Sequence, residues 1–527
     1  MAERKPVFVM DEDVERTKGK DAQSNNIEAA KAVGETIKTT LGPSGMDKML
    51  VNSTGNVIVT NDGSTILGEM DIDHPAAKMI VEVSETQDEE VGDGTTTAVL
   101  LTSKLLSKAE DMLDQDIHPT IIAEGYREAE EKSMEILDEM KQDITIADDK
   151  EILRNVAKTA MTGKGVIGDK DILAKTAVDA VTYVTKETED GYNAKLDNIK
   201  METKTGANIS DTQLIEGMVI DKDKPHPEMP DKIENTKIAV LDTEIEVGET
   251  ETDAEVTIDS PGQRQKFLER EEKQLKEKVE KINETGANVV FCEEAIDDVA
   301  QQYLVNKGIH ALKRVDESDI NKIAKATGAS VVSNINELTE DDLGEAETVR
   351  EEALAGDKVT YIEGCKELKA LTVLLRGGTE QLVEEAERTL DDAIDVVATA
   401  INDGDTIAGG GAPEAELSLK LRDYAATIGG REQIAIEAFA DALESIPLTL
   451  AENAGLDPMD TLVNLKKQHE EDNQNAGIDG YEEKITDMTE KGVLEPIKIK
   501  KQAMKSATEA TEMVLRIDDV LSSKTTE

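Results

Sequence analysis

Basic residues are in short supply in this chain, and aromatic ones are scarcer still. Of 527 residues, 59 are Lys or Arg and 114 are Asp or Glu, a formal net charge of −55. So acidic a surface excludes nucleic acid as the expected partner, because a polyphosphate backbone is bound by neutralising cations. Aromatics make up 2% and Trp is absent, so the core has to be aliphatic. Two cysteines, Cys292 and Cys365, exclude a disulfide framework or a zinc cluster. Both are expected as small buried apolar groups in a reducing compartment. No apolar run reaches the roughly 18 residues of a membrane span, so no membrane partner is expected. Met1-Ala2-Glu3-Arg4-Lys5 leads into no long apolar stretch, so a cytoplasmic chain without a secretory signal is expected. The acidity does not imply disorder, since 38% of residues are hydrophobic and the acids are spread through amphipathic segments. It implies a solvated surface kept soluble by self-repulsion, in a cell interior with enough salt to screen it. The length corresponds to roughly three or four domains.

What stands out against this background is Gly92-Asp93-Gly94-Thr95-Thr96-Thr97. Apolar residues follow at helical spacing, from Ala98 to Leu101 and then Leu105, Leu106, Ala109 and Leu113, so the threonines open a helix. Free N–H groups and the positive dipole end at a helix start attract phosphate oxygens. Glycines let the backbone come close. Asp93 is placed to hold a divalent cation, which prefers oxygen ligands. The expectation is a phosphate and metal site that is not a P-loop, since no Gly-x-x-x-x-Gly-Lys-Ser/Thr run occurs.

Residues 24–50 read as a helix with Ile27, Ala30, Val33 and Ile37 on one face, ending in Thr39-Thr40-Leu41-Gly42-Pro43-Ser44-Gly45. Val57 to Thr60 reads as extended, and two long helices follow near 94–114 and 119–142. From about 237 the pattern changes. Lys237 to Leu241, Asn288 to Cys292, His310 to Leu312 and Ser330 to Val332 read as short buried strands. Helical stretches at 261–284, 296–307 and 317–327 separate several of them, which is the alternation of an α/β unit with a partly parallel sheet. From about 404 the chain returns to helices. The 261–284 helix begins with a capping box, Ser260-Pro261-Gly262-Gln263, and has only a narrow apolar stripe, Leu268, Leu275, Val279 and Ile282. Glu269 with Lys273, Glu272 with Lys276 and Glu277 with Lys281 are spaced as i,i+4 pairs. The polar, threonine-rich 247–260 segment before it suits an exposed arm.

Other segments are ambiguous one at a time. Thr40 to Gly45 alone is a helix stop, and Asn61-Asp62-Gly63 alone is a hairpin turn. Gly409-Gly410-Gly411 alone is a linker, Asp392 in a helix from Glu380 a solvated acid, and Lys164 in Thr162-Gly163-Lys164-Gly165 a surface lysine. As an ordered set, Thr39 to Leu50, Asn61 to Gly63, Gly92 to Thr97, Ala408 to Glu414, Glu452 to Pro458 and Gly492 to Pro496 resemble the chaperonin family over essentially the whole chain. The 247–282 segment resembles the built-in lid protrusion of the group II branch, the branch of archaeal thermosome subunits. The acidity exceeds what that likeness implies and points to a halophilic source.

The resemblance implies a multidomain α+β and α/β chain. It assigns a mainly helical equatorial ATP-binding domain to 1–146 and 404–527 and a small intermediate hinge domain to 147–214 and 369–403. An α/β apical domain would use 215–368, with the lid at about 247–282. ATP would bind with Mg²⁺ on Asp93, with K⁺ a candidate second cation. Thr40, Leu41, Gly42, Pro43, Gly94, Thr95, Thr96 and Thr97 would surround phosphate, and Gly410, Gly477 and Glu495 would lie at ribose and base. Asp62 and Asp392 would orient the attacking water, and Lys164 would sense the γ-phosphate. Phosphoryl transfer needs positioning and charge neutralisation, so such a set suffices. The implied function is ATP-driven folding of unfolded or partly folded proteins inside a double ring of sister subunits, homo- or hetero-oligomeric. The competing classes are a metabolic ATP-dependent kinase or ligase and an ATP-independent holdase scaffold. Five histidines with no catalytic clustering argue against the first, and the carboxylates at 62, 93 and 392 against the second.

Overall fold

The apolar spacing around Ile27 builds the first long helix, Lys20–Ile37, with Ile27, Ala30, Val33 and Ile37 all buried. A computed structural model describes residues 14–51, 55, 57–145, 149–164, 168–188, 191–247, 261–354, 357–365 and 370–523. The helix proper stops at Ile37, just before the Thr39 to Gly45 segment expected to end it and short of the full 24–50 range. It tightens into a 3₁₀ turn, Lys38–Thr40, and a loop, and Lys48–Val51 is a strand paired antiparallel with Val57–Thr60. Pro43 explains the stop, since it has no N–H for a helical bond and restricts the residue before it.

The chain forms two compact units, Met1–Val178 with Arg388–Glu527, and Asp179–Glu387. Residues 147–214 and 369–403, expected as a hinge domain, are shared between them. The first unit is mainly helical. Its central helix is Thr95–Asp114, packed against Lys20–Ile37, Pro75–Val91, Gly430–Leu443 and Ile497–Leu515. Ala98 to Leu101 are all buried, because a helix enclosed on most sides cannot keep a polar face. Among the described residues the unit's fully buried core is aliphatic apart from Tyr126 and Phe439, which meet edge to face at 5.8 Å. The buried Tyr126 hydroxyl donates to Leu105 O at 2.9 Å. Small strands finish the unit. Leu494–Glu495 pairs with Asp405–Ala408, which pairs with Gln142–Asp143, and Ala476–Asp479 forms a hairpin with Lys484–Asp487.

The second unit is built on a nine-stranded mixed sheet. Lys232–Leu241 is parallel to Val289–Cys292 and Val331–Val332, and Val289–Cys292 is parallel to His310–Leu312. Gly344–Leu354 pairs antiparallel with Lys232–Leu241 on the edge opposite Val289–Cys292. Helices Pro261–Glu284, Asp298–Lys307 and Glu317–Thr327 alternate with these strands. Leu275, Val279 and Ile282 of the first of these are buried, so the narrow stripe packs on the sheet. Lys273 pairs with Glu277 at 3.4 Å, and Glu272 accepts from the Tyr303 hydroxyl. Ser260 of the expected capping box, with the rest of 248–260 in the proposed lid, lies outside the described residues. Cys292 is buried and Cys365 half-buried; burial pushes their thiols up to about 12 and about 11. Among the described residues no helix is long and apolar enough to cross a membrane.

Candidate functional site

Two helices meet at Asp93. Pro75–Val91 ends at Gly92, and Thr95–Asp114 begins after Gly94, whose φ of 84° suits glycine. Asp93 Oδ1 accepts from the Gly94 N–H at 2.7 Å, and Gln87 Nε2 donates to Asp93 O at 2.8 Å and to Ile499 O at 3.2 Å. No side chain caps the helix start, so the N–H groups of the three threonines face the space in front of them. The Thr40–Pro43 loop stands across that space. Asn453 holds it by donating to Lys38 O and Leu41 O at 3.1 and 2.9 Å, which gives the Glu452 to Pro458 motif a physical role. Asn61-Asp62-Gly63 is not a hairpin turn. Asp62 N-caps the short helix Gly63–Gly68, accepting from the Thr65 N–H and the Ser64 hydroxyl, both at 2.7 Å.

These segments enclose one cavity of about 1130 Å³, counted with its open mouth. Thr40, Leu41, Gly42, Pro43, Asp62, Asp93, Gly94, Thr95, Thr96, Thr97, Lys164, Gly410 and Glu495 all line it. Gly477 is not among its lining residues. It sits behind the wall, where a Cβ would fall 3.0 Å from both the Gly409 and Gly410 carbonyl oxygens, and its neighbours Ile478 and Asp479 face the cavity instead. Asp392 does not line the cavity either; it reaches the site through an ion pair with Lys164. Lys164 is therefore no surface lysine but 8% exposed, and Asp392 is largely shielded rather than a solvated acid.

The carboxyls are set differently by their surroundings. Burial works to raise Asp62, but the Lys164 ammonium and the bonds from Thr65 and Ser64 outweigh it and hold its pKa below the usual range. At Asp93 burial wins over the pull of Lys164 and the Gly94 N–H, so its pKa is raised. A carboxylate penalised by burial, whose strongest lysine influence comes from a Lys164 already paired with Asp392, is a fit place for a hard cation. Among the described residues no group of three or more His, Cys, Asp or Glu forms a full protein cage. Mg²⁺ held together with phosphates needs only one or two carboxylates, so the donor set suits it.

Residues 33–525 match the TCP-1/cpn60 chaperonin family. The chain belongs to that family. It is 58% identical over 518 residues to the thermosome subunit of Methanopyrus kandleri, a match spanning 98% of this chain and 95% of that one. It is 55% identical over 519 residues to thermosome subunit alpha of Archaeoglobus fulgidus, with the same coverage. Among solved structures it is similar to the open-state monomer of a group II chaperonin from Methanococcoides burtonii. There the TM-score is 0.65 at 46% identity, covering 81% of this chain and all of that one.

The cavity is also lined by residues to which the sequence assigned no role. Asn61, Thr159, Thr162, Asp479, Tyr481 and Lys500 line the cavity. Asn61 directs its side-chain amide to Gly163 O, tying the Asp62 loop to the Lys164 loop. Asn61 was marked in sequence only as part of the Asn61 to Gly63 motif. Lys500, set in a run of basic residues, had no such mark.

Proposed function

We propose that this cavity binds ATP with Mg²⁺ and that its hydrolysis works the chain as a folding machine. The chain is a group II chaperonin subunit of the thermosome type, an ATP-dependent chaperone and ATPase of a family that forms double-ring chambers. A metabolic kinase or ligase and an ATP-independent holdase give way to that membership. What carries the site reading is the convergence of four separate glycine- or threonine-bearing segments, Thr40–Pro43, Asp62–Gly63, Asp93–Thr97 and Gly410–Gly411, on one cavity.

In this reading the N–H groups and hydroxyls of Thr95 to Thr97, with the Thr40–Pro43 loop, hold phosphate oxygens. Asp93 ligates the metal, which would neutralise phosphate charge. Asp62 and Asp392 orient water, and Lys164 contacts the terminal phosphate. Gly410 and Glu495 border the ribose and base, with Gly477 supporting the glycine loop from behind. The three-domain division, the lid at about 247–282, a cytoplasmic setting, a halophilic source and a role for K⁺ belong to the same proposal. So do clients that are unfolded or partly folded proteins, without nucleic acid or membrane as partners. Native mass measurement and client refolding, each with and without ATP, test it. A ring built of many 57.2 kDa chains that refolds a denatured client only with ATP is expected. An ATP-independent gain in refolding would contradict it.

A further inference from the structure

Lys500 stands in a run of lysines, Lys498-Ile499-Lys500-Lys501, on the first turn of the helix Ile497–Leu515. The other lysines of the run face outward: Lys498 is exposed, and Lys501 pairs with Asp138 at 2.6 Å. Lys500 turns the other way, is 7% exposed, and lines the nucleotide cavity. Its ammonium lies 2.9 Å from Glu495 Oε2 and 3.1 Å from Glu414 Oε1. Two carboxylates from separate elements thus share one buried cation. Burial acts against the lysine charge, but Glu414 and Glu495 outweigh it and hold Lys500 protonated.

The geometry around Glu495 is closely fixed. Its backbone lies opposite Ile407 in the strand pair with Asp405–Ala408. Its Oε1 rests against Gly409, where a Cβ would fall 2.6 Å away, so only glycine leaves that oxygen its place. Lys500 ties the other oxygen. Glu414, from the helix Ala412–Ile428, has its Oε2 without a hydrogen-bond partner among the described residues. Its main tie is the lysine. Asp93 acts on Glu495 and Lys500 acts on Asp93, both at longer range.

We propose that Lys500 is a positioning residue of the nucleotide site: it holds the Glu495 carboxylate beside Glu414 and presents its free oxygen to the hydroxyl groups of a bound nucleotide. The inference rests on the reading that this cavity binds ATP. Without the ammonium, two shielded carboxylates face each other with no cation between them. Like charges so placed cannot both stay ionised without cost, so one takes a proton or swings away. Removing Glu414's charge as well should relieve that conflict.

The test is a double-mutant cycle with two readouts: ATP affinity by calorimetry, and the unfolding temperature of the nucleotide-free protein. Lys500→Met is expected to weaken ATP binding roughly tenfold or more and to lower the unfolding temperature. Glu414→Gln combined with Lys500→Met is expected to recover most of both losses, which lost packing alone would not allow. Unchanged affinity in Lys500→Met, or a double variant no better than the single one, overturns the proposal. If Lys500→Met does not fold, the double variant decides: a folded, ATP-binding protein supports the proposal and an unfolded one overturns it. A wild-type protein that fails to bind ATP refutes the site reading instead, and the unfolding temperatures still decide the charge relation.

Discussion

Lys164 and Asp392, 228 positions apart in the sequence, form an ion pair at the edge of the cavity. The same ammonium gives the strongest pull holding Asp62 ionised against burial. One cation therefore serves both carboxylates proposed to handle water. In the proposed reading, a phosphate engaging Lys164 would compete with Asp392 for it and free that carboxylate to accept a proton. Asp392→Ala is expected to slow hydrolysis by roughly 10²–10⁴-fold and to leave ATP binding in place. Single-turnover hydrolysis and calorimetry check this; loss of ATP binding in a folded variant would contradict the role.

Asp93 differs because burial raises it. Its proposed work is done by holding a cation, so Asp93→Ala should act on binding. The expected outcome is that Mg²⁺ no longer strengthens ATP affinity, measured by titration with Mg²⁺ and with a chelator. Normal Mg²⁺-dependent hydrolysis in this variant would refute the central assignment.

Asp395 offers a pH test. In the helix Glu380–Asp403 it packs on Gly92, and burial, then the nearby Asp88, raises its pKa from 3.8 to about 6. A carboxyl raised on folding favours the protonated form. Its stabilising contribution is complete below its ordinary value and is lost as pH rises through about 6. Asp395→Asn should therefore match wild type in acid and gain at alkaline pH, by at most about 3 kcal/mol and less once salt screens the charge. Thermal unfolding of both proteins across pH measures the difference, and a difference flat with pH would sink the idea.

The net charge of −55 repeats in every subunit, so assembly gathers acids together. Screening acts over about 30 Å at 0.01 M salt and about 3 Å at 1 M. Ring assembly and ATPase activity are expected to rise with KCl into the molar range. Sucrose at equal osmolality, which strengthens burial without screening charge, should not reproduce the rise. Rings fully active in dilute buffer would remove the halophilic reading and leave the family assignment untouched.

The scarcity of aromatics concentrates packing in few places. Phe439 is fully buried against Tyr126, and Phe439→Ala should cost about 3–5 kcal/mol. The loss is read as a fall in unfolding temperature. A change too small to detect would mean that the helices collapse to fill the space.

Sequence by itself determined what depends on neighbours along the chain. Thr95 to Thr97 open a helix because a glycine precedes them and apolar residues follow at helical spacing, and that start is where the structure has it. The 261–284 helix and the His310–Leu312 strand keep the bounds their spacing predicts. The strand expected at Lys237 to Leu241 is only the buried half of Lys232–Leu241. Its first half is mostly polar and holds Asn235 at a φ of 53°, so no apolar run marked it. Tertiary structure alone decided the site's charges. Nothing near Lys164 or Asp392 in sequence shows that they pair, and nothing in a run of lysines shows that Lys500 is the buried one. Whether a charged side chain is solvated depends on which distant element covers it, and burial with a partner at long range sets its ionisation.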